Sequence, residues 1–232
     1  LQRWALGAVA LALLLGLATG AHASIVNWDL NLAFSGSMPT PGTWLVASWD
    51  PDADSVGANG IRLTLSAPGL SAGEFVGKWC FNFDPALNAA DLVITPVNVA
   101  AVASVEIDPP VNDTYRGDGR GWFDIQFSFP EPDRFTAGES VVFDIAYSAE
   151  LSVALFDFLS VDNQGSSANG LTTAAHIQGL PAGSPTPSAW VTNGPPDYND
   201  KIVPEPASLA MLAWGTGLAA VGLVFQRRRR SV

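Results

Sequence analysis

The chain has 232 residues, 22 acidic against 11 basic, and a formal net charge of −11. That balance repels nucleic acid phosphates, so DNA and RNA binding are excluded, and other polyanions bind only if cations bridge them. A single cysteine, Cys80, excludes an intramolecular disulfide and zinc-type cysteine spacing.

Residues 1–23 carry Arg3, an apolar run from Trp4 to Ala18, and Ala21-His22-Ala23. A cation, an apolar run and a small-x-small site spell a secretory signal peptide, with cleavage expected before Ser24. Residues 24–205 then hold all 22 acidic residues but only six basic ones, a formal net charge of −16. Calcium and neutral glycans suit so acidic a region better than polyanions do.

This region reads as strands. Trp28, Leu30, Leu32 and Phe34 alternate with polar or small residues, and so do Ile61, Leu63 and Leu65. The pattern returns in Phe123, Ile125, Phe127 and Phe129, and again in Val141, Phe143, Ile145 and Tyr147. Period-two alternation buries one face of a strand and wets the other. Trp79, Phe81 and Phe83 share one face and Cys80 takes the other, Leu151 to Leu159 is a further apolar run, and Trp190-Val191 marks the last strand. Clusters of Gly, Pro, Asn and Asp separate the runs. The expectation is an all-β domain over 24–192, an antiparallel β-sandwich of the jelly-roll or immunoglobulin-like kind, followed by a linker over 193–202.

Candidate chemistry within the domain is sparse. Asp50, Asp52 and Asp54 have a D-x-D-x-D spacing that brings carboxylates onto a hard cation when the loop curls. An EF-hand would need Gly at Ser55 and Glu at Ile61, so the triplet is either a calcium loop of another type or a solvated turn. Asp108, Asn112, Asp113 and Asp118 form a second, weaker oxygen cluster in one Gly-rich loop. Trp44 and Trp49 flank turns and could present rings to sugars, or cap the core. Cys80 and His176 both sit in strand-like contexts that favour packing over a nucleophile and base. Arg116-Gly117-Asp118 reads as a glycine turn. No nucleophile elbow, metalloprotease helix or phosphate loop occurs, so no catalytic residue is assigned and a non-enzymatic role is expected.

The C-terminal segment, residues 203–232, is organised differently. Pro204-Glu205-Pro206 holds the backbone extended, and the uncharged run from Leu209 to Phe225 follows. As a helix that run spans roughly 25 Å, at the short end for a bilayer. Arg227, Arg228, Arg229 and Arg230 come next, placed to stay on the cytoplasmic side.

In its Pro-Glu-Pro motif, small-residue-rich span and terminal arginines, this tail closely resembles the PEP-CTERM sorting signal of Gram-negative bacteria that make exopolysaccharide. The resemblance implies recognition by an exosortase, a membrane-embedded cysteine transpeptidase, with membrane anchoring through the span before the tail is removed. Two internal stretches are similar to segments of PEP-CTERM proteins of unassigned function: Tyr115 to Ile125 with Phe129-Pro130, and Thr173 to Gly179 with Ser188 to Val191. Together these features lead to an exported cell-envelope or extracellular-matrix protein with a structural or adhesive role associated with exopolysaccharide. A non-catalytic carbohydrate-binding module is the alternative, and a secreted glycan-active hydrolase stands behind it.

Overall fold

The computed structural model describes residues 24–37, 39, 42–53, 56–57, 59–97, 105–118, 121–161, 170–182 and 184–194. All belong to one compact unit, Ser24–Asp200. The signal-peptide segment 1–23, the sorting segment 203–232 with its span 209–225, and Asp54 lie outside the described residues. Among the described residues no helix is long and apolar enough to cross a membrane.

The described residues are all-β, with two short 3-10 turns and no α-helix. In chain order the strands begin with β1 (Val26–Leu30), β2 (Leu32–Gly36), β3 (Leu45–Asp50), β4 (Gly60–Ser66) and β5 (Phe75–Phe81). Short strands follow: β6 (Val93–Pro96), β7 (Glu106–Ile107), β8 (Tyr115–Arg116), β9 (Trp122–Phe123), β10 (Ile125–Ser128) and β11 (Phe135–Thr136). The last three are β12 (Ser140–Ala146), β13 (Thr173–Gln178) and β14 (Ser188–Thr192). A five-stranded sheet runs β1-β3-β4-β12-β6, and a seven-stranded sheet runs β2-β14-β13-β5-β10-β7 with β11 also paired to β5. Strands β8 and β9 form a separate hairpin. Every pairing is antiparallel.

Alternation explains which side chains point inward. In β4 Ile61, Leu63 and Leu65 are buried while Arg62, Thr64 and Ser66 are half-buried, and β12 repeats this with Val141, Phe143 and Ile145. Cross-strand register stacks them, Leu63 opposite both Trp49 and Phe143. The two sheets meet through their rings: Trp49 of the first lies 5.4 Å from Phe81 of the second, and Phe143 lies 4.4 Å from Phe127. Edge-to-face and offset pairs of this kind add to the burial of large apolar area.

Three segments differ from the expectation. The run Trp28 to Phe34 is two strands, because the chain passes from one sheet to the other at Asn31, and Leu32 is left exposed. In the run Phe123 to Phe129, Phe123 and Ile125 enter different clusters. The break falls at Asp124, whose buried carboxylate accepts the backbone N–H of Phe83 at 2.7 Å and of Asp113 at 2.6 Å. Leu151 to Leu159 carries a 3-10 turn, Val153–Phe156, that drives Phe156 onto Trp49 with ring centres 4.5 Å apart.

Candidate functional site

The face of the seven-stranded sheet turned away from the core is where aromatic and polar side chains meet. In β13 the inward residues are Thr173, Ala175 and Ile177, so Ala174, His176 and Gln178 point outward. Register then places one residue from each of six strands in a line: Ser35, Trp190, His176, Lys78, Ser128 and Glu106. All six are half-buried or exposed. Directly opposed side chains on one face lie close enough to interact. His176 and Trp190 do so, their rings stacked 4.8 Å apart at 14°. Phe34 continues the ladder on the far side of Trp190 at 6.4 Å.

The β8–β9 hairpin covers the neighbouring part of the same face. Phe123 closes over Cys80, Leu171 and Ala174, with Phe34, Tyr115 and Trp190 packed around them. The hairpin lies this flat because residue 117 is glycine: a Cβ there would stand 2.7 Å from the Phe123 ring and 3.3 Å from the Ala174 methyl. Asp118 accepts a hydrogen bond from the Ser35 hydroxyl, which fastens the loop to β2. Arg116 sits over the Trp122 ring at 4.9 Å, a cation–π contact at the surface.

Electrostatics sort these groups. Burial lowers the His176 pKa below its ordinary 6.5, against the opposing pull of the Asp118 carboxylate and together with the Lys78 ammonium. The imidazole is therefore neutral at pH 7. Burial pushes the Cys80 thiol up to about 12, and its sulfur contacts Gln126 Oε1 at 3.7 Å. A thiol held protonated in this way is a packing group rather than a nucleophile. Gln126 and Ser128 both donate to Asp108 Oδ2, at 2.6 and 2.8 Å.

The expected site residues fare differently. Trp44 and Trp49 are 1% and 0% exposed, which corrects the reading of them as a sugar-stacking surface. Trp49 faces inward from β3 and is ringed by Trp28, Phe81 and Phe156, its indole N–H without a hydrogen-bond partner among the described residues. Asp50 and Asp52 form a turn in which Asp50 Oδ1 accepts the Asp52 N–H at 3.1 Å. Asp50 also stands opposite Arg62, whose guanidinium pairs with Asp144 at 2.8 Å. Their partner Asp54 lies outside the described residues, among which no metal-holding group of three appears.

The second oxygen cluster is dispersed by use. Asn112 caps Ala89, Asp108 binds Gln126 and Ser128, and Asp118 is tied to Ser35. Pro204, Glu205, Pro206 and Arg227 to Arg230 fall outside the described residues. The pairing of His176 with Trp190 escaped the sequence reading, which placed both in strands. Only the hairpin register of β13 and β14 joins them.

No protein-family model, curated protein or solved structure matches this chain.

Proposed function

We propose that this is an exported, exosortase-sorted protein of the cell envelope and extracellular matrix, non-enzymatic, with a structural or adhesive role associated with exopolysaccharide. The observation that carries the reading is the tail: Pro204-Glu205-Pro206, the apolar run Leu209 to Phe225 and Arg227 to Arg230, in that order. The span anchors the chain in the membrane until the PEP-CTERM-type signal is processed, after which the domain is released to the surface or matrix. An acidic β-sandwich suits that destination, since its charge favours solubility during export. Pairing of early with late strands, β4 with β12 and β5 with β13, supports the jelly-roll member of the two sandwich types.

The intact mass and location of the protein are measured in cells with and without the sorting transpeptidase. The expected product begins at Ser24, lacks everything after roughly Pro206, and stays membrane-bound with its tail when the transpeptidase is missing. A surface form that retains Trp214 and the four arginines overturns the reading.

The second reading, a non-catalytic carbohydrate-binding module, is favoured by one arrangement: the His176–Trp190 stack set among hydroxyl, amide and charged side chains on an outer sheet face. Sugars combine apolar C–H faces with hydroxyls, so surfaces that bind them pair aromatic planes with polar groups.

A further inference from the structure

A sheet leaves unpaired backbone at its ends, and such an edge takes up another strand unless a charge, a proline or a cover prevents it. The five-stranded order ends on β1 and β6, and the seven-stranded order on β2 and β7. Three of these ends carry a blocking residue: Asp29 in β1, Pro96 in β6 and Glu106 in β7. Off the seven-stranded order, the two-residue β11 directly follows Arg134. Only β2, Leu32-Ala33-Phe34-Ser35-Gly36, ends a sheet with neither a charge nor a proline. Among the described residues it pairs with β14 on one side and with no strand on the other, and Leu32 is 41% exposed. Charge is absent behind this edge as well. Residues 30–49, which include β2, and residues 163–196, which include β14 and β13, hold no Asp, Glu, Lys or Arg. The first charged strand inward is β5 with Lys78, three strand spacings or about 14 Å from β2. That exceeds the screening length of about 8 Å at physiological salt. Asp118 reaches in from the β8–β9 hairpin and is bonded to the Ser35 hydroxyl, with Arg116 two residues before it.

We infer that the free edge of β2 pairs with the same edge of a second copy of this chain, the two strands running antiparallel about a two-fold axis at Phe34. The strand is complementary to itself in that register. Leu32 falls opposite Gly36 of the other copy, which has no side chain, and Phe34 falls opposite its equivalent, so the stack of Phe34, Trp190 and His176 in one copy runs on into that of the other. Other occupants fit worse. A lipid leaves backbone N–H and C=O groups unmatched, and a basic protein is drawn to the acidic parts of the domain instead. A partner of like charge is the one that needs a neutral strip, and a second copy brings a formal −16 in its own residues 24–205. The register of β2 on β14 shifts at Phe34, an irregularity that keeps the contact to this one short strand. Each copy offers one such edge, so the pairing closes as a dimer rather than growing into a fibre. A contact of this size lies at the weak end of protein interfaces and should dissociate on dilution. The inference goes beyond the sorting and carbohydrate readings and depends on neither.

The test follows the full chain in mild detergent through a dilution series, by analytical ultracentrifugation for its mass and by hydrogen–deuterium exchange for the place of contact. Concentrated protein should sediment as a dimer, and exchange in peptides covering residues 32–36 should be slower there than in dilute protein by about ten-fold. Leu32→Glu puts an acid on the neutral edge at an exposed position. It should weaken association by about ten-fold or more, equivalent to about 1.4 kcal/mol, with the thermal midpoint held, whereas Leu32→Val should leave the dimer in place. A chain that stays monomeric at every concentration overturns the inference. So does a dimer whose exchange at 32–36 ignores dilution and which survives Leu32→Glu, since its contact then lies elsewhere, the apolar tail included. Slow exchange at 32–36 in monomer and dimer alike, unchanged by Leu32→Glu, means that a segment of the same chain covers the edge and overturns the second copy as its occupant.

Discussion

The two faces of the seven-stranded sheet are both rich in aromatic residues, yet they use them in opposite ways. On the inner face Trp79, Phe81 and Phe127 are fully buried; Phe81 and Phe127 meet Trp28, Trp49 and Phe143 from the facing sheet, and Trp79 stacks on Phe81 within β5. On the outer face Phe34, Trp190 and His176 stack along the sheet itself, half-buried, with Ser35, Lys78 and Ser128 in line with them. The difference is the company each ring keeps. Rings facing rings exclude water and supply stability, whereas rings beside hydroxyl, amide and ammonium groups form a surface able to recognise something amphipathic.

The largest effect should come from the inner face. Phe81→Ala empties a site in contact with Trp28, Trp49, Trp79 and Phe127, and should cost about 3–5 kcal/mol in urea denaturation. A loss below about 1 kcal/mol would mean that the facing sheets are not packed as described. The seam between the faces should give the next effect. Asp124→Ala leaves the N–H groups of Phe83 and Asp113 without their acceptor, at a cost of about 1–3 kcal/mol.

Asp124→Asn should cost less, because burial raises the Asp124 pKa, which means that the charged form is the one penalised by folding. For the same reason the wild-type penalty is absent below the unfolded pKa near 3.8 and develops as pH rises through the higher folded value. If Asn proves harmless by the same denaturation, the carboxylate is not acting as a paired acceptor, because the amide keeps one acceptor oxygen and turns an NH2 donor towards the second N–H.

Much of the sheet structure could be read along the chain, because in β4 and β12 every second residue is large and apolar and each strand lies flat on the core. Asn31 could not be read as a switch between sheets, since alternation continues on both sides of it and pairing partners are distant in sequence. The place of Trp49 next to a turn left a surface ring and a core cap both open, and burial decides for the core. The inward set of β3 is Leu45, Ala47 and Trp49, and the small Ala47 hides the alternation that would have put the indole inside. Cys80 could be placed as a buried filler, because Trp79 and Phe81 on either side of it claim the other face. The outer-face line was illegible for a different reason: its six members come from six strands, and only cross-strand register brings them level.

The smallest perturbation is also the most direct measurement, since it touches a single ring. The chain has two histidines, His22 and His176, and only His176 lies in residues 24–205. The imidazole C–H resonances of the full chain, assigned with His176→Gln, are followed by NMR against pH and then against a neutral polysaccharide. His176 should titrate below 6.5, because burial disfavours its charged form. Its contribution to stability should therefore rise with pH between the folded value and 6.5, and be lost as pH falls through the folded value. Addition of the polysaccharide at pH 7 should shift the His176 resonances and lower the titration midpoint further, while those of His22 stay fixed. A His176 resonance that titrates at or above 6.5 and ignores saturating polysaccharide would contradict the claim that the outer face binds where the inner face only packs.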